Sequence, residues 1–270
     1  MMIKDWLEGL DYTLLQGSLE TEADEVVYDS RKAAPGAVFI CMKGTKIDSH
    51  DFIPQVVGAG VNILVVERPV EAPEGVTVIR VENGREALAI LAAARFGNPS
   101  RKLTMIGVTG TKGKTTTTHM IKTILETAGK KTGMIGTNGV YIGGEHYPTV
   151  NTTPESYDLH KYFAQMAEAG CDCCVMEVSS QAFKMHRVAG ILFDYGIFTN
   201  ISPDHIGPDE HEDFEEYLGC KKQLFYQSRH GLINVDDEHF QEIVKDIPCE
   251  WRSFGLKQGA GYQAEDIHYV

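Results

Sequence analysis

Residues 110–116 read Gly-Thr-Lys-Gly-Lys-Thr-Thr. This combination has the chemistry of a phosphate cradle. Gly110 and Gly113 let backbone N–H groups approach an anion, Lys114 supplies a point charge, and Thr115 offers a hydroxyl to Mg²⁺. Thr111, Lys112 and Thr116 complete the candidate ATP-binding segment. The alternative is a ligand-free turn, but Lys-Thr-Thr following such a loop argues for a triphosphate. The spacing is unusual. In G-x-x-x-x-G-K-[ST] the first glycine would fall at position 108, which is valine; here it stands at 110.

The flanking elements must hold this loop in place. Met105 to Val108 is an apolar run of strand character, and Met120, Ile121, Ile124, Leu125 and Ala128 recur at helical spacing before Gly129. Strand, loop and helix place the candidate phosphates at a helix N-terminus, where the dipole favours negative charge. Two further apolar runs, Cys173–Val178 and Tyr195–Ile201, read as buried strands. Glu177 closes the first of them, where an open parallel sheet places its ligand crevice, and a hard cation prefers carboxylate oxygen.

The first hundred residues form a separate small α/β unit. Strands are expected over 26–28, 37–42, 62–67 and 76–81. A helix follows from Asn83, with Glu86 in capping-box position, to Phe96 and Gly97. The polar stretch 97–102 reads as a linker, which divides the chain into 1–98 and 99–270. The second unit alternates strand and helix, implying a mainly parallel sheet covered on both faces. Its further elements are a strand over 132–137, a helix with Thr153 as N-cap and Pro154 at its first position, a helix over 214–226 and a strand over 232–235. The last residues, 262–270, have a strand-like pattern.

Composition narrows the function classes. The 270 residues carry a formal net charge of −13, which argues against a nucleic-acid or anionic-membrane surface. Apolar runs all fall short of the roughly 18 residues that span a bilayer, and the N-terminus lacks a signal-peptide stretch, so the chain reads as cytoplasmic. Six cysteines in such a chain read as reduced. Cys171-Asp-Cys-Cys174 lacks the second pair of a zinc finger and reads as core.

Beyond the loop stand Asn151-Thr-Thr-Pro154, Glu177-Val-Ser-Ser180 with Arg187 downstream, Thr199-Asn-Ile-Ser-Pro-Asp-His205 and Glu215-Glu-Tyr-Leu-Gly-Cys-Lys221. Nearer the start are Asp29-Ser-Arg31 and Gly44-Thr-Lys-Ile-Asp-Ser-His50. In this order the blocks resemble the Mur ligase family, in its MurE branch, over essentially the whole chain. The resemblance implies a UDP-substrate domain followed by a P-loop ATPase domain. The family's third domain, which carries the amino-acid site, has no counterpart here. It also implies an ATP-dependent amide ligase of peptidoglycan precursor synthesis, adding L-lysine or meso-diaminopimelate to UDP-MurNAc-L-Ala-D-Glu through an acyl phosphate.

The same resemblance implies site residues. Lys114, Glu177, His205 and Lys221 would be catalytic. Thr115, Glu177, His205 and Lys221, the last as a carbamate, would hold Mg²⁺. Ser30 would contact the uridine end of the substrate, Thr152, Thr153, Ser179 and Arg187 its sugar-dipeptide end, and Asn151 would bind the same substrate. A monomer is expected. The chain departs from the family at Lys112 (often Asn), Gln181 (usually His), Met185 (usually polar) and the longer stretch 206–214, in which His211 has no assigned role. Two rival readings are a non-catalytic fragment that binds nucleotide or UDP-sugar, and a folylpolyglutamate synthetase-like ligase. The latter type lacks a leading UDP-binding unit.

Overall fold

The computed structural model describes residues 1–44, 47–208 and 210–268. Thr45 and Lys46 of the early Gly44–His50 block, Asp209 of the 206–214 stretch, and the last two residues of the expected 262–270 strand lie outside them. The chain divides into two compact units. One comprises 1–98 with the short segments 156–160 and 186–190; the other comprises 99–155, 161–185 and 191–270.

The first unit contains α1 (Ile3–Trp6), β1 (Tyr12–Gln16), β2 (Glu25–Val27), β3 (Ala37–Ile40), α2 (Ile53–Gly58), β4 (Ile63–Val66), β5 (Thr77–Val81) and α3 (Gly84–Arg95). The strands form one sheet in the order β1-β5-β4-β3-β2, parallel except for the β1–β5 pair. The central strands β3 and β4 are buried on both faces, which is why they read as continuous apolar runs. Val38, Ile40, Ile63 and Val65 pack with Trp6, Leu88 and Leu91 on one face. Phe39, Leu64 and Val66 pack with Ile53 and Val56 on the other. The Asn83 side chain caps α3, accepting from the N–H groups of Arg85 and Glu86. The expected linker is ordered: a short 3₁₀ turn spans Pro99–Lys102, with Pro99 and Ser100 buried.

The second unit contains β6 (Thr104–Thr109), α4 (Lys114–Thr127), β7 (Thr132–Gly136), β8 (Gly139–Ile142), β9 (Glu145–Tyr147), α5 (Ser156–Glu168, whose first turn groups with the other unit), β10 (Cys173–Glu177), α6 (Ser180–Lys184), β11 (Phe193–Phe198), α7 (Phe214–Tyr226), β12 (Ser228–Asn234), α8 (Phe240–Val244), β13 (Glu250–Gly255) and β14 (Tyr262–Gln263). The sheet runs β14-β13-β12-β11-β6-β10-β7-β8-β9. Strands from β14 to β7 are parallel, and β7-β8-β9 are antiparallel. The mixed, mainly parallel α/β architecture agrees with the sequence expectation. From β6 the chain moves to one side through β7 and returns at β10, then crosses to β11 on the other side. Such a reversal, at the carboxyl ends of β10, β6 and β11, is where open parallel sheets place their ligand crevice.

Several sequence expectations need correction. The hairpin β8–β9, the strands β1 and β13, and the short helices α1, α2, α6 and α8 carry too few periodic residues to be read from the sequence. Thr153 does not cap α5. The helix begins at Ser156 after Glu155, which makes no side-chain cap bond. Of the apolar residues on α4, Ile121 and Leu125 pack against the core while Met120 and Ile124 are exposed, so its inward stripe is narrower than its apolar periodicity. The strand expected over 232–235 begins earlier and spans β12. The strand expected over 195–201 ends at Phe198, leaving Thr199–His205 as a loop.

Candidate active site

The loop after β6 needs its first glycine for steric reasons. Gly110 has φ +145°, and a Cβ there would collide with Thr199 Oγ1. Gly113, at φ +84°, turns the chain into α4, whose first turn has no side-chain cap. First-turn N–H groups of that kind suit an anion. The loop is braced by the two residues that follow β11. Thr111 N–H donates to Asn200 O and Lys112 N–H to Asn200 Oδ1, each at 2.9 Å. Thr199 Oγ1 donates to Lys112 O at 2.8 Å.

Glu177 ends β10 opposite Val108 of β6 and is only 1% exposed. Its Oε1 accepts from Thr137 N–H at 2.9 Å, and its Oε2 accepts from Thr115 Oγ1 at 3.0 Å and Thr137 Oγ1 at 3.2 Å. Gly136 makes this possible, because a Cβ there would overlap the carboxylate. A buried carboxylate beside a hydroxyl is a hard-oxygen donor set that fits Mg²⁺.

Two lysines converge on Gly110. Lys114 Nζ donates to Gly110 O at 2.9 Å and Thr111 O at 3.2 Å, and Lys221 Nζ donates to the same Gly110 O at 2.9 Å. Burial pushes the Lys114 ammonium below its ordinary range, opposed by Glu177. Lys221 is 1% exposed; burial first, then Lys114, lowers it to about 7. Its ammonium lies 4.5 Å from the centroid of the Tyr217 ring, whose hydroxyl meets Thr111 Oγ1 at 3.1 Å.

Residues 108–270 match the Mur ligase middle domain, and residues 22–96 match the Mur ligase family, catalytic domain. The chain belongs to the Mur ligase family. The UDP-N-acetylmuramoyl-L-alanyl-D-glutamate–2,6-diaminopimelate ligase of Clostridium perfringens is 47% identical over 272 residues, covering 99% of this chain and 56% of the relative. Ligase 1 of the same name from Clostridium acetobutylicum is 41% identical, covering 99% and 55%. A solved structure bearing that enzyme name aligns with TM-score 0.82 at 20% identity, over 100% of this chain and 55% of that one. MurF from Acinetobacter baumannii aligns with TM-score 0.61 at 22% identity, over 96% and 53%. At such identities the structural likeness is one of fold. The chain spans about half the length of the curated relatives it matches.

Within this Mur ligase chain, Gly110, Lys114, Thr115, Glu177 and Lys221 are linked by the contacts above. His205 is not drawn into that cluster. It is half exposed at φ +54°, and its Nδ1 lies 2.8 Å from Glu210 Oε1. The neighbouring Asp204 pairs with Lys112 at 3.2 Å, and Lys112 holds its carboxyl below the usual range. Thr116 is exposed on α4. Thr153 is fully buried; its hydroxyl donates to Glu177 O at 3.0 Å and accepts from Ser179 N–H at 3.1 Å. Thr152 Oγ1 meets Thr137 Oγ1 at 3.0 Å, Ser179 Oγ caps α6 through Ala182 N–H, and Asn151 is exposed. Ser30 opens a 3₁₀ turn in the first unit, and half-buried Arg187 lies in the 186–190 segment that groups with it.

Sequence reasoning passed over Thr137 and Tyr217. Thr137 follows a short strand and carries no motif. Tyr217 does leave a signal, because it stands four residues before Lys221 and so shares its helix face.

Proposed function

We propose that this chain is the UDP-substrate and ATPase portion of a MurE-type ligase, joining 2,6-diaminopimelate to UDP-MurNAc-L-Ala-D-Glu at the expense of ATP. The observation that carries this reading is the Thr115–Glu177 pair, set beside two lysines around Gly110 at the mouth of three parallel strands. The 47% identity over 99% of the chain points to the same enzyme, and the relatives' names supply the amino acid. Those matches include the leading unit, which disfavours the folylpolyglutamate synthetase reading.

ATP would lie over the glycine loop, with its phosphates toward the α4 N-terminus. In this reading Lys114 leaves the Gly110 and Thr111 carbonyls to neutralise β/γ-phosphate charge, which is the main demand of phosphoryl transfer. Thr115 and Glu177 would hold Mg²⁺, with Lys221 joining once carbamylated; His205 is assigned to the same role by family resemblance. The ion supplies charge neutralisation on the phosphate oxygens. A lysine ammonium repels a cation. A neutral Lys221 amine can attack CO₂, forming an N–C bond and losing a proton, and the product offers anionic oxygens instead.

The substrate glutamate carboxylate attacks the γ-phosphorus and ADP leaves. The incoming amine then displaces phosphate from the acyl phosphate. Ser30 is assigned to the uridine end and Asn151, Thr152, Ser179 and Arg187 to the sugar-dipeptide end, with Arg187 able to hold a carboxylate or phosphate bidentately. Thr153 holds the Glu177–Ser179 turn. Tripeptide formation and phosphate release, measured with 2,6-diaminopimelate and with L-lysine, test the assignment. No tripeptide with either, from this chain or from the longest open reading frame that contains it, would refute it. A second reading, nucleotide binding without turnover, would show as ATP binding with no phosphate release.

A further inference from the structure

We propose that His211, Glu216 and Cys220 form a second metal site, separate from the phosphate loop. It would take a borderline transition-metal ion such as Zn²⁺ through one nitrogen, one oxygen and one sulfur. A ligand atom from each of the three lies within 4.8 Å of the others. Tetrahedral zinc with bonds of about 2.0–2.3 Å needs its ligand atoms only slightly closer, at about 3.3–3.8 Å. Glu216 and Cys220 stand four apart on α7 and therefore face the same side.

His211 is delivered by a pinned backbone. Its N–H donates to His205 O and its carbonyl accepts from Gly207 N–H, each at 3.0 Å. The ring is fully buried. Nε2 lies 2.9 Å from Ser180 Oγ, while Nδ1 has no hydrogen-bond partner among the described residues and lies 3.7 Å from Glu216 Oε2. A buried ring nitrogen left unpaired costs on the order of 1–3 kcal/mol, so its lone pair calls for a partner. When Nε2–H donates to Ser180, Nδ1 presents that lone pair, the arrangement in which a histidine binds a metal.

The surroundings agree with this donor set. Burial lowers the His211 pKa and so favours the neutral ring; Glu216 opposes this, while Lys184, Lys221 and His205 add to it. Lys184 pairs with Glu216 Oε1 at 2.7 Å. Oε2 accepts from Glu212 N–H at 2.7 Å and keeps a second lone pair. The Cys220 thiol is pushed up by burial, so binding breaks its S–H bond, forms S–metal and releases one proton to solvent. A water supplies the fourth ligand. Nitrogen and sulfur donors disfavour Mg²⁺.

Cobalt(II) titrated into the full chain under reducing, metal-free conditions should give a near-ultraviolet thiolate-to-cobalt band saturating at one equivalent, and equimolar Zn²⁺ should remove it. Cys220→Ser should abolish the band and Cys249→Ser should keep it. Ser180→Ala should weaken binding by roughly 10–100-fold, as loss of a supporting hydrogen bond does. A missing band, or one that survives in Cys220→Ser, overturns the proposal. A second measurement needs no variant: Zn²⁺ should protect Cys220 from iodoacetamide, read by mass spectrometry at each cysteine. Equal alkylation with and without Zn²⁺ overturns it as well. Neither readout depends on ligase activity.

Discussion

Lys114 and Lys221 donate to one oxygen, the carbonyl of Gly110, each at 2.9 Å. Two ammonium groups on one acceptor disfavour each other's charge, and Lys221 bears most of the consequence because it is the more deeply buried. The Tyr217 ring offers partial compensation, since an aromatic face attracts a cation. The pair is therefore poised for a ligand that brings negative charge.

The first consequence is a pH dependence of stability. Lys221 titrates at about 7 in the folded chain against 10.5 for an ordinary lysine. Between those values the unfolded chain binds more protons, so this group makes stability rise with pH from about 7 to 10.5. Below pH 7 the penalty for burying the charge is present in full, on the order of a few kcal/mol. Urea unfolding in CO₂-free and metal-free buffer should show Lys221→Met more stable than wild type at pH 6.5, with the difference shrinking by pH 9.5. A pH-independent difference would contradict the shift.

A carbamate at Lys221 predicts chemical rescue. In the complete ligase, Lys221→Ala should lower turnover by on the order of 100-fold or more, comparable to losing a key electrostatic group. Formate or acetate should restore part of it by occupying the place of the carbamate oxygens. Wild-type turnover from the alanine variant would remove Lys221 from the mechanism.

Glu177→Gln keeps the shape and an oxygen able to accept from Thr137 N–H, but removes the negative charge beside Thr115. The variant should fold and still bind nucleotide without divalent ion. The Mg²⁺-dependent gain in ATP affinity should fall by at least about tenfold, the order expected when a hard cation loses its carboxylate. Calorimetric titration with and without Mg²⁺ distinguishes this from simple unfolding.

Gly110→Ala tests the loop itself. A methyl group at φ +145° meets Thr199 Oγ1, and relieving that contact would break the bonds from Thr199 to Thr109 O and Lys112 O. The expected cost is about 1–3 kcal/mol for the backbone strain alone. ATP binding should be lost even where circular dichroism shows the fold retained. Retained binding at wild-type affinity would mean the loop tolerates rearrangement.

The family and the local apparatus of the site were legible in the residue order alone. Glycine spacing in 110–116 was legible because few residues tolerate such dihedrals, and the runs ending at Glu177 and near Thr199 were legible because strands buried on both faces must be apolar. Which groups meet is a matter of packing. Thr153 read as a helix cap, yet its hydroxyl is held by Glu177 O and Ser179 N–H, 24 and 26 residues away in sequence, a competition that local sequence cannot reveal. Thr137 reaches Glu177 from just beyond the end of neighbouring β7, and Lys221 reaches Gly110 from 111 residues away. The depressed Lys221 pKa follows from burial and a second cation. Both are properties of the packed molecule, because a lysine code in a chain carries no dielectric.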